Sequence, residues 1–336
     1  MAKMNWNNLI GHQETLTLLK TIVSSNKAAH AYLFKGPRGV GKMLAARIFA
    51  AALLCEAQKE KPCGLCRSCA LIERESHPDF TVIRSEGGGA KETIKIEQIR
   101  SLKHFALLAP ALARGRVCVI EDAQRMTAEA ANSLLKLLEE APPDFYFILT
   151  AAPEQPLLAT IVSRCLEINF APLAKEVLAQ YLMEKHGLDF TLAQTAANLS
   201  GGRLGGALKF LEPEGFALRN QAALYLAELS AAPFSMTSEF WTELTSLSQQ
   251  DILTVLEYAA ILLRDTLVTL INVDKNRGKD MLFNPDSQDK IFPLLKDWDE
   301  KRILAAEKHL KEARRAIAGN AAAKLTLEAL TIKLKA

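Results

Sequence analysis

The chain has 336 residues, 49% of them apolar, and 41 basic against 38 acidic side chains leave a formal net charge of +3. That length and apolar fraction can fill two or three buried cores, and so small a charge permits a nucleic-acid partner without demanding one. No run of eighteen apolar residues occurs and the amino terminus lacks a basic-then-apolar leader, so a soluble, intracellular protein without a membrane span is expected, its cysteines kept as thiols.

In chain order, Glu14–Val23 has helical spacing, and Ala31–Phe34 is a short apolar run that reads as a buried parallel strand. The strand leads into Gly36-Pro37-Arg38-Gly39-Val40-Gly41-Lys42, and Met43–Leu54 follows as a helix with Leu44, Ile48, Phe49 and Ala52 inward. Strand, glycine-rich turn and helix form the context a phosphate loop requires. Backbone N–H groups at Gly36, Gly39 and Gly41 can wrap phosphates, Lys42 neutralises their charge, and the helix dipole adds to both. The next position normally supplies a hydroxyl to magnesium. Here it is Met43, whose thioether is a poor ligand for a hard cation.

Four cysteines follow as Cys55-x7-Cys63-x2-Cys66-x2-Cys69, with Pro62 and Gly64 allowing a tight path between them. Two overlapping CxxC steps bring three thiolates to one point, and Cys55 reaches it from the end of the preceding helix. With no histidine or carboxylate completing an open position, a structural zinc ion is expected; the alternative is four free thiols, including a CxxC redox pair.

Phe80–Ile83, Val117–Ile120, Phe145–Thr150 and Cys165–Phe170 are further strand candidates, and Ile96–Leu107 and Thr127–Glu140 are helices. In the latter, Ala130, Leu134, Leu137 and Leu138 keep helical spacing until Pro142-Pro143 stop it. Gly87-Gly88-Gly89 marks a flexible loop. Alternating strands and helices imply a parallel sheet between helical layers, with ligand at the carboxyl ends of the strands. Glu121-Asp122 ends the third strand, where an acidic pair would hold magnesium and polarise water. The usual order is Asp then Glu, so this pair is reversed, and it can equally do no more than solvate a strand end.

After Phe170 the pattern is helical, with Glu176–His186, Leu192–Leu199 and Gly205–Leu211 as a small unit and helices from about 215 onwards. Ala323, Leu327, Leu330 and Leu334 form a stripe that serves packing within the last domain or docking onto a partner. Lys308, Lys311, Arg314 and Arg315, interspersed with Glu307 and Glu312, read as a solvated face ahead of a nucleic-acid stripe.

Several segments together resemble one family. Trp6-Asn-Asn-Leu-Ile-Gly11-His-Gln, His30-Ala-Tyr-Leu-Phe34-Lys-Gly36-Pro, the four cysteines, Ser76-His-Pro-Asp79, Ala131-Asn-Ser-Leu-Leu-Lys-Leu-Leu-Glu-Glu140 and Ser163-Arg164-Cys165 are similar to the AAA+ clamp-loader subunits of bacterial DNA polymerase III. The likeness is strong over residues 5 to about 212 and weaker beyond, where Asn320, Leu325, Leu327 and Leu330 look like the end of a collar domain. It implies an AAA+ phosphate-loop domain over 1–170 with a five-stranded parallel sheet and the zinc module at 55–69. A helical lid over 171–212 and an all-α collar over 215–336 complete the expected fold.

In that family Ser163-Arg164-Cys165 carries an arginine finger that reaches a neighbouring subunit's ATP; without the family context Arg164 would read as a surface ion-pair partner. Motor members of the gamma/tau kind have Thr where Met43 stands and Asp-Glu where Glu121-Asp122 stands. The polar sensor position falls at Ala151-Ala152 and the lid arginine position on Gly205. These departures point to the delta-prime branch, a stator that binds ATP or ADP weakly or not at all, uses no magnesium and acts on neighbours. The implied partners are gamma/tau and delta subunits in a hetero-pentamer, with the sliding clamp and primer-template DNA met through the complex. An ATP-hydrolysing motor and a zinc-dependent nucleic-acid reader are the competing expectations.

Overall fold

The computed structural model describes residues 4–25, 27–87, 92–153, 157–212, 215–230, 236, 238–271, 281–287, 295 and 297–335. Gly88 and Gly89 of the expected flexible loop lie outside them. The chain divides into two compact units, one of residues 1–173 with 203–205 and one of 174–202 with 206–336.

The first unit alternates α1 (Gln13–Ser25), β1 (Ala31–Lys35), α2 (Lys42–Leu53), α3 (Arg67–Glu73), β2 (Phe80–Ile83) and α4 (Ile96–Leu107). It continues through β3 (Arg116–Ile120), α5 (Ala128–Glu139), β4 (Phe145–Ala151), α6 (Ala159–Val162) and β5 (Leu166–Asn169). The five strands form one sheet in the order β2-β3-β4-β1-β5, every pairing parallel. The period of two along β1 decides what each face buries. Tyr32 and Phe34 point to the side of α1 and α2, where Phe49 meets Tyr32 edge-on at 4.9 Å. Ala31 and Leu33 point to the other side, among Leu102 of α4 and Leu134 and Leu138 of α5. Each fully buried side chain of this size removes enough apolar surface to stabilise the fold by about 2 kcal/mol.

The helices start and stop for local reasons. The Thr127 side chain accepts from the Ala130 N–H at the start of α5, meeting one of the orphan donors of a helix amino terminus. The Glu140 N–H closes the last turn on Lys136, and Pro142-Pro143 forbid another. One inward assignment on α2 is corrected: Leu44 is exposed and Ala45 is buried. Leu44 lies three residues before the half-buried Arg47, a spacing at which side chains neighbour one another along one helix face.

A buried ion pair fixes the segment between α4 and β3. Asp79 is fully buried and accepts from the N–H groups of Ala111, Leu112 and Ala113 at 2.7, 2.7 and 2.9 Å. Arg116 lies 3.4 Å from it and donates to the carbonyls of Phe105 and Ala109. Burial opposes ionisation of Asp79, but the three N–H donors and Arg116 outweigh it and lower its pKa. A lowered carboxylate pKa gives stability that is present above the unfolded value and lost as pH falls through the folded one. Asp79→Ala, by leaving Arg116 and three N–H groups unpaired, is expected to cost about 3–5 kcal/mol. Urea unfolding at pH 7 and pH 3 checks this, the gap between wild type and variant narrowing only below the ordinary aspartate pKa of 3.8.

The second unit contains α7 (Lys175–His186) and α8 (Phe190–Leu199), and α9 (Leu204–Lys209) runs into it. It continues with α10 (Ala217–Ser230), α11 (Glu239–Ser246), α12 (Gln249–Ile271), α13 (Glu300–Ala318) and α14 (Ala323–Lys335). Leu327, Leu330 and Leu334 of the carboxyl-terminal stripe are buried with Leu226, Leu256 and Leu310, so the stripe packs within the unit. Leu325, by contrast, is 65% exposed. Thr195 of α8 and Arg219 of α10 both donate to Asp286 at 2.8 Å, and Asp265 of α12 accepts from Asn284. Lys308, Lys311 and Arg315 lie exposed on the outer face of α13.

Candidate functional site

Topology assembles the nucleotide-type site. β4 lies between β1 and β3, so the glycine-rich loop after β1 and the acidic pair after β3 flank the end of β4 at the carboxyl edge. The Gly36 N–H donates to the Ala151 carbonyl at 3.2 Å. Gly36 has φ near +155°, and a Cβ there would stand 2.1 Å from the Phe170 carbonyl oxygen, so only glycine allows the loop to leave the sheet this closely. Lys42 is 7% exposed, and its ammonium group donates to the Gly36 and Pro37 carbonyls at 2.5 and 2.8 Å. Gly39 and Gly41 also take positive φ. The loop thus has the backbone path and the cation of a phosphate cradle.

Around it, charged and polar groups are tied to one another. Glu121 pairs with Arg84 at 3.2 Å, and Asp122 pairs with Arg38 of the loop at 3.2 Å and Arg125 at 3.6 Å. Arg84 also grips Glu75, which pairs with Arg47. Thr150 accepts from the Asp122 N–H at 3.0 Å, and Gln124 accepts from the Ala152 N–H at 3.3 Å. The methyl groups of Ala151 and Ala152 offer no hydrogen bond to a phosphate or water. The Gly205 N–H donates to the Gly39 carbonyl at 2.8 Å, and a Cβ at Gly205 would lie 3.1 Å from the Gly39 Cα. The backbone approaches the loop where the resemblance expects an arginine. His12 donates through Nε2 to the Val40 carbonyl at 3.0 Å, and its burial lowers its pKa, which keeps the imidazole neutral. None of these arginine, threonine, glutamine and histidine partnerships was visible in the motifs.

The four cysteines converge. Sγ atoms of Cys55, Cys63, Cys66 and Cys69 all lie within 4.8 Å of one another, near the edge of about 3.8 Å that a tetrahedron with Zn–S of about 2.3 Å requires. Backbone N–H groups of Cys63, Cys66 and Cys69 point at the sulfurs of Cys55, Cys63 and Cys66 at 3.4, 3.3 and 3.5 Å, a donor set that favours thiolates. Burial opposes ionisation of Cys63, yet N–H donors from Leu65 and Cys66 bring its pKa down to about 7. Burial pushes Cys55 and Cys69 up. Four soft donors, pre-oriented and without a carboxylate or imidazole among them, fit zinc in a closed structural site. Trp6 donates through Nε1 to the Lys61 carbonyl at 2.7 Å, which ties the knuckle to the amino-terminal segment.

Arg164 is at the opposite edge. It precedes β5, so it sits at the amino ends of the strands, about 15 Å of strand away from the phosphate loop. It cannot serve its own loop; a head-to-tail neighbour could receive it. Its guanidinium donates to the Thr160 carbonyl at 2.8 Å and to Glu139 at 2.5 Å.

A parallel sheet bearing a glycine-rich loop, a buried lysine and an acidic pair on one edge, with a four-cysteine knuckle after α2, defines an α/β protein of the phosphate-loop class. Residues 11–174 match the family described as DNA polymerase III, delta subunit. Over 170 residues the chain is 36% identical to DNA polymerase III subunit delta' of Bacillus subtilis, covering 51% of this chain and 50% of that one. It is 27% identical over 300 residues to subunit delta' of Escherichia coli, covering 88% and 86%. Subunit tau of Escherichia coli is 36% identical over 176 residues, covering 52% of this chain and 27% of tau. At the higher identities the chain spans about half the length of the delta' relatives it matches or less. The chain is thus similar to delta' subunits of DNA polymerase III, at the higher identities over about half its length and at 27% identity over most of it.

Proposed function

We propose that this chain is a non-hydrolysing stator of a clamp loader, supplying Arg164 to the ATP site of a neighbouring subunit while a sliding clamp is loaded onto primer-template DNA. One observation carries the reading: the finger and the chain's own loop lie on opposite edges of one sheet, and the loop's edge lacks catalytic parts. Met43 replaces the magnesium-binding hydroxyl, Glu121 and Asp122 are held by Arg84, Arg38 and Arg125, and Ala151-Ala152 and Gly205 bring no sensor group. The neighbour's phosphoryl group would gain a permanent cation from Arg164 as charge develops on it. The zinc knuckle orders residues 55–69. Domains over 1–170, 171–212 and 215–336 act as the sheet domain, lid and collar, and the partners are gamma/tau and delta subunits of a cytoplasmic hetero-pentamer. Among the described residues no helix is long and apolar enough to cross a membrane.

Lys42 is intact and sits in the loop, which favours a motor as the second reading. Nucleotide binding and hydrolysis by the purified, zinc-replete chain separate the two. A stator gives no turnover and weak or absent binding. Turnover that disappears in Lys42→Ala would reject the stator and make this a motor.

A further inference from the structure

The contact between Arg164 and Glu139 has a direction. Glu139 is the last residue of α5, where the negative end of the helix dipole and the adjacent Glu140 disfavour a carboxylate. Helix stability therefore gives no reason for an acid there. Its side chain meets Arg164, 25 residues away, at 2.5 Å, with the arginine side chain 34% and the glutamate side chain 50% exposed. The other terminal nitrogen of Arg164 is turned onto the Thr160 carbonyl at 2.8 Å and the Ser163 hydroxyl at 3.4 Å. Both ends of the guanidinium fork that would clasp phosphoryl oxygens are thus turned onto the chain's own oxygen atoms.

We propose that Glu139 is a latch on the finger: it holds Arg164 on its own subunit, and the phosphoryl group of the neighbouring site must compete with this carboxylate for the guanidinium. Glu139 acts through Arg164 and is a positioning residue; the proposal rests on the finger reading above. The physical ground is charge. A carboxylate hydrogen-bonded to the finger neutralises the cation that phosphoryl transfer needs, and its own charge repels the negative charge developing on the neighbouring oxygens. The pair is half in solvent, so the latch is weak enough to open. Exposed ion pairs of this kind shift an equilibrium by about two- to fivefold.

The test uses the assembled complex, with Glu139→Gln, Arg164→Ala and the double variant. Glutamine keeps the size and removes the charge, and because the site is exposed the chain should assemble and melt as the wild type does. Expected is a rise of about two- to fivefold in ATPase without DNA, in kcat rather than in KM. In the double variant the rise is absent and the rate equals that of Arg164→Ala alone. A rate that is unchanged or lower in Glu139→Gln, while Arg164→Ala still slows the complex, overturns the latch and leaves the finger standing. A rise that persists without Arg164 also overturns it. If Arg164→Ala itself changes nothing, the finger reading falls and the latch with it.

Discussion

Arg164→Ala in an assembled complex is expected to slow phosphoryl transfer at the adjoining nucleotide site by about a thousandfold or more, the range over which arginine fingers act. The isolated chain should lose little stability. Arg164 contributes a partly exposed pair with Glu139 and a bond to the Thr160 carbonyl, and removing such surface pairs changes stability by at most about 1 kcal/mol. Lysine at this position should not restore the rate. Its ammonium is a compact point charge without the planar fork, and it would reach the phosphoryl oxygens with different geometry. The measurement is DNA-stimulated ATPase of the complex, with assembly verified by gel filtration. If the complex's other sites turn over independently, the total rate falls only by the share of the site that Arg164 serves. If they fire together, nearly all activity goes. Wild-type ATPase from a fully assembled Arg164→Ala complex would falsify the finger role.

The second large effect is at the knuckle. Cys63→Ser, or removal of metal by a strong chelator, should release zinc and unfold residues 55–69, because binding to a site of this kind supplies roughly 10 kcal/mol or more of apparent folding energy. The region has little else to hold it: Glu60, Lys61, Leu65 and Arg67 are exposed or half-buried, and its fixed points are Trp6 on the Lys61 carbonyl and Glu56 on Ser68. Protons oppose the metal. Burial raises Cys55 and Cys69 above the ordinary thiol range, so loading zinc at neutral pH must displace their protons, and affinity falls as pH falls. Zinc content by atomic emission and protease sensitivity near Lys59–Lys61 check both statements. One zinc per chain retained in Cys63→Ser would remove that residue from the ligand set, and zinc-free chain with an unaltered digestion pattern would remove the structural role.

Two features of the chain are encoded locally. The knuckle and the phosphate loop occupy fifteen and seven consecutive residues, and in each the spacing is itself the chemistry. Two CxxC steps can converge on one point in almost any fold, and a glycine-rich turn between a strand and a helix makes its own nest of N–H groups. The five strands were legible for a similar reason. Four are short runs made mostly of apolar residues, β5 alternates apolar with polar ones, and the structure moved their ends by no more than one residue. Alternation with helices also implied the parallel sheet, since such strands need long crossovers.

What surrounds those motifs was not legible. Arg38 meets Asp122 across 84 residues, Arg84 meets Glu121 across 37, and Glu139 meets Arg164 across 25. No spacing rule links such positions, because the strand order β2-β3-β4-β1-β5 sets which loops become neighbours. Leu44 shows the same limit at short range: helical spacing puts it inward with Ile48, Phe49 and Ala52, which are buried, but it is exposed and its neighbour Ala45 is buried in its place. From sequence alone came the four-cysteine cluster, the glycine-rich turn with its lysine and the missing hydroxyl at Met43, because each depends on residues near one another along the chain. Only the tertiary structure decided that the acidic pair is gripped by arginines and that Arg164 stands on the far edge from the loop, since distances between separate strands depend on how the sheet is wound.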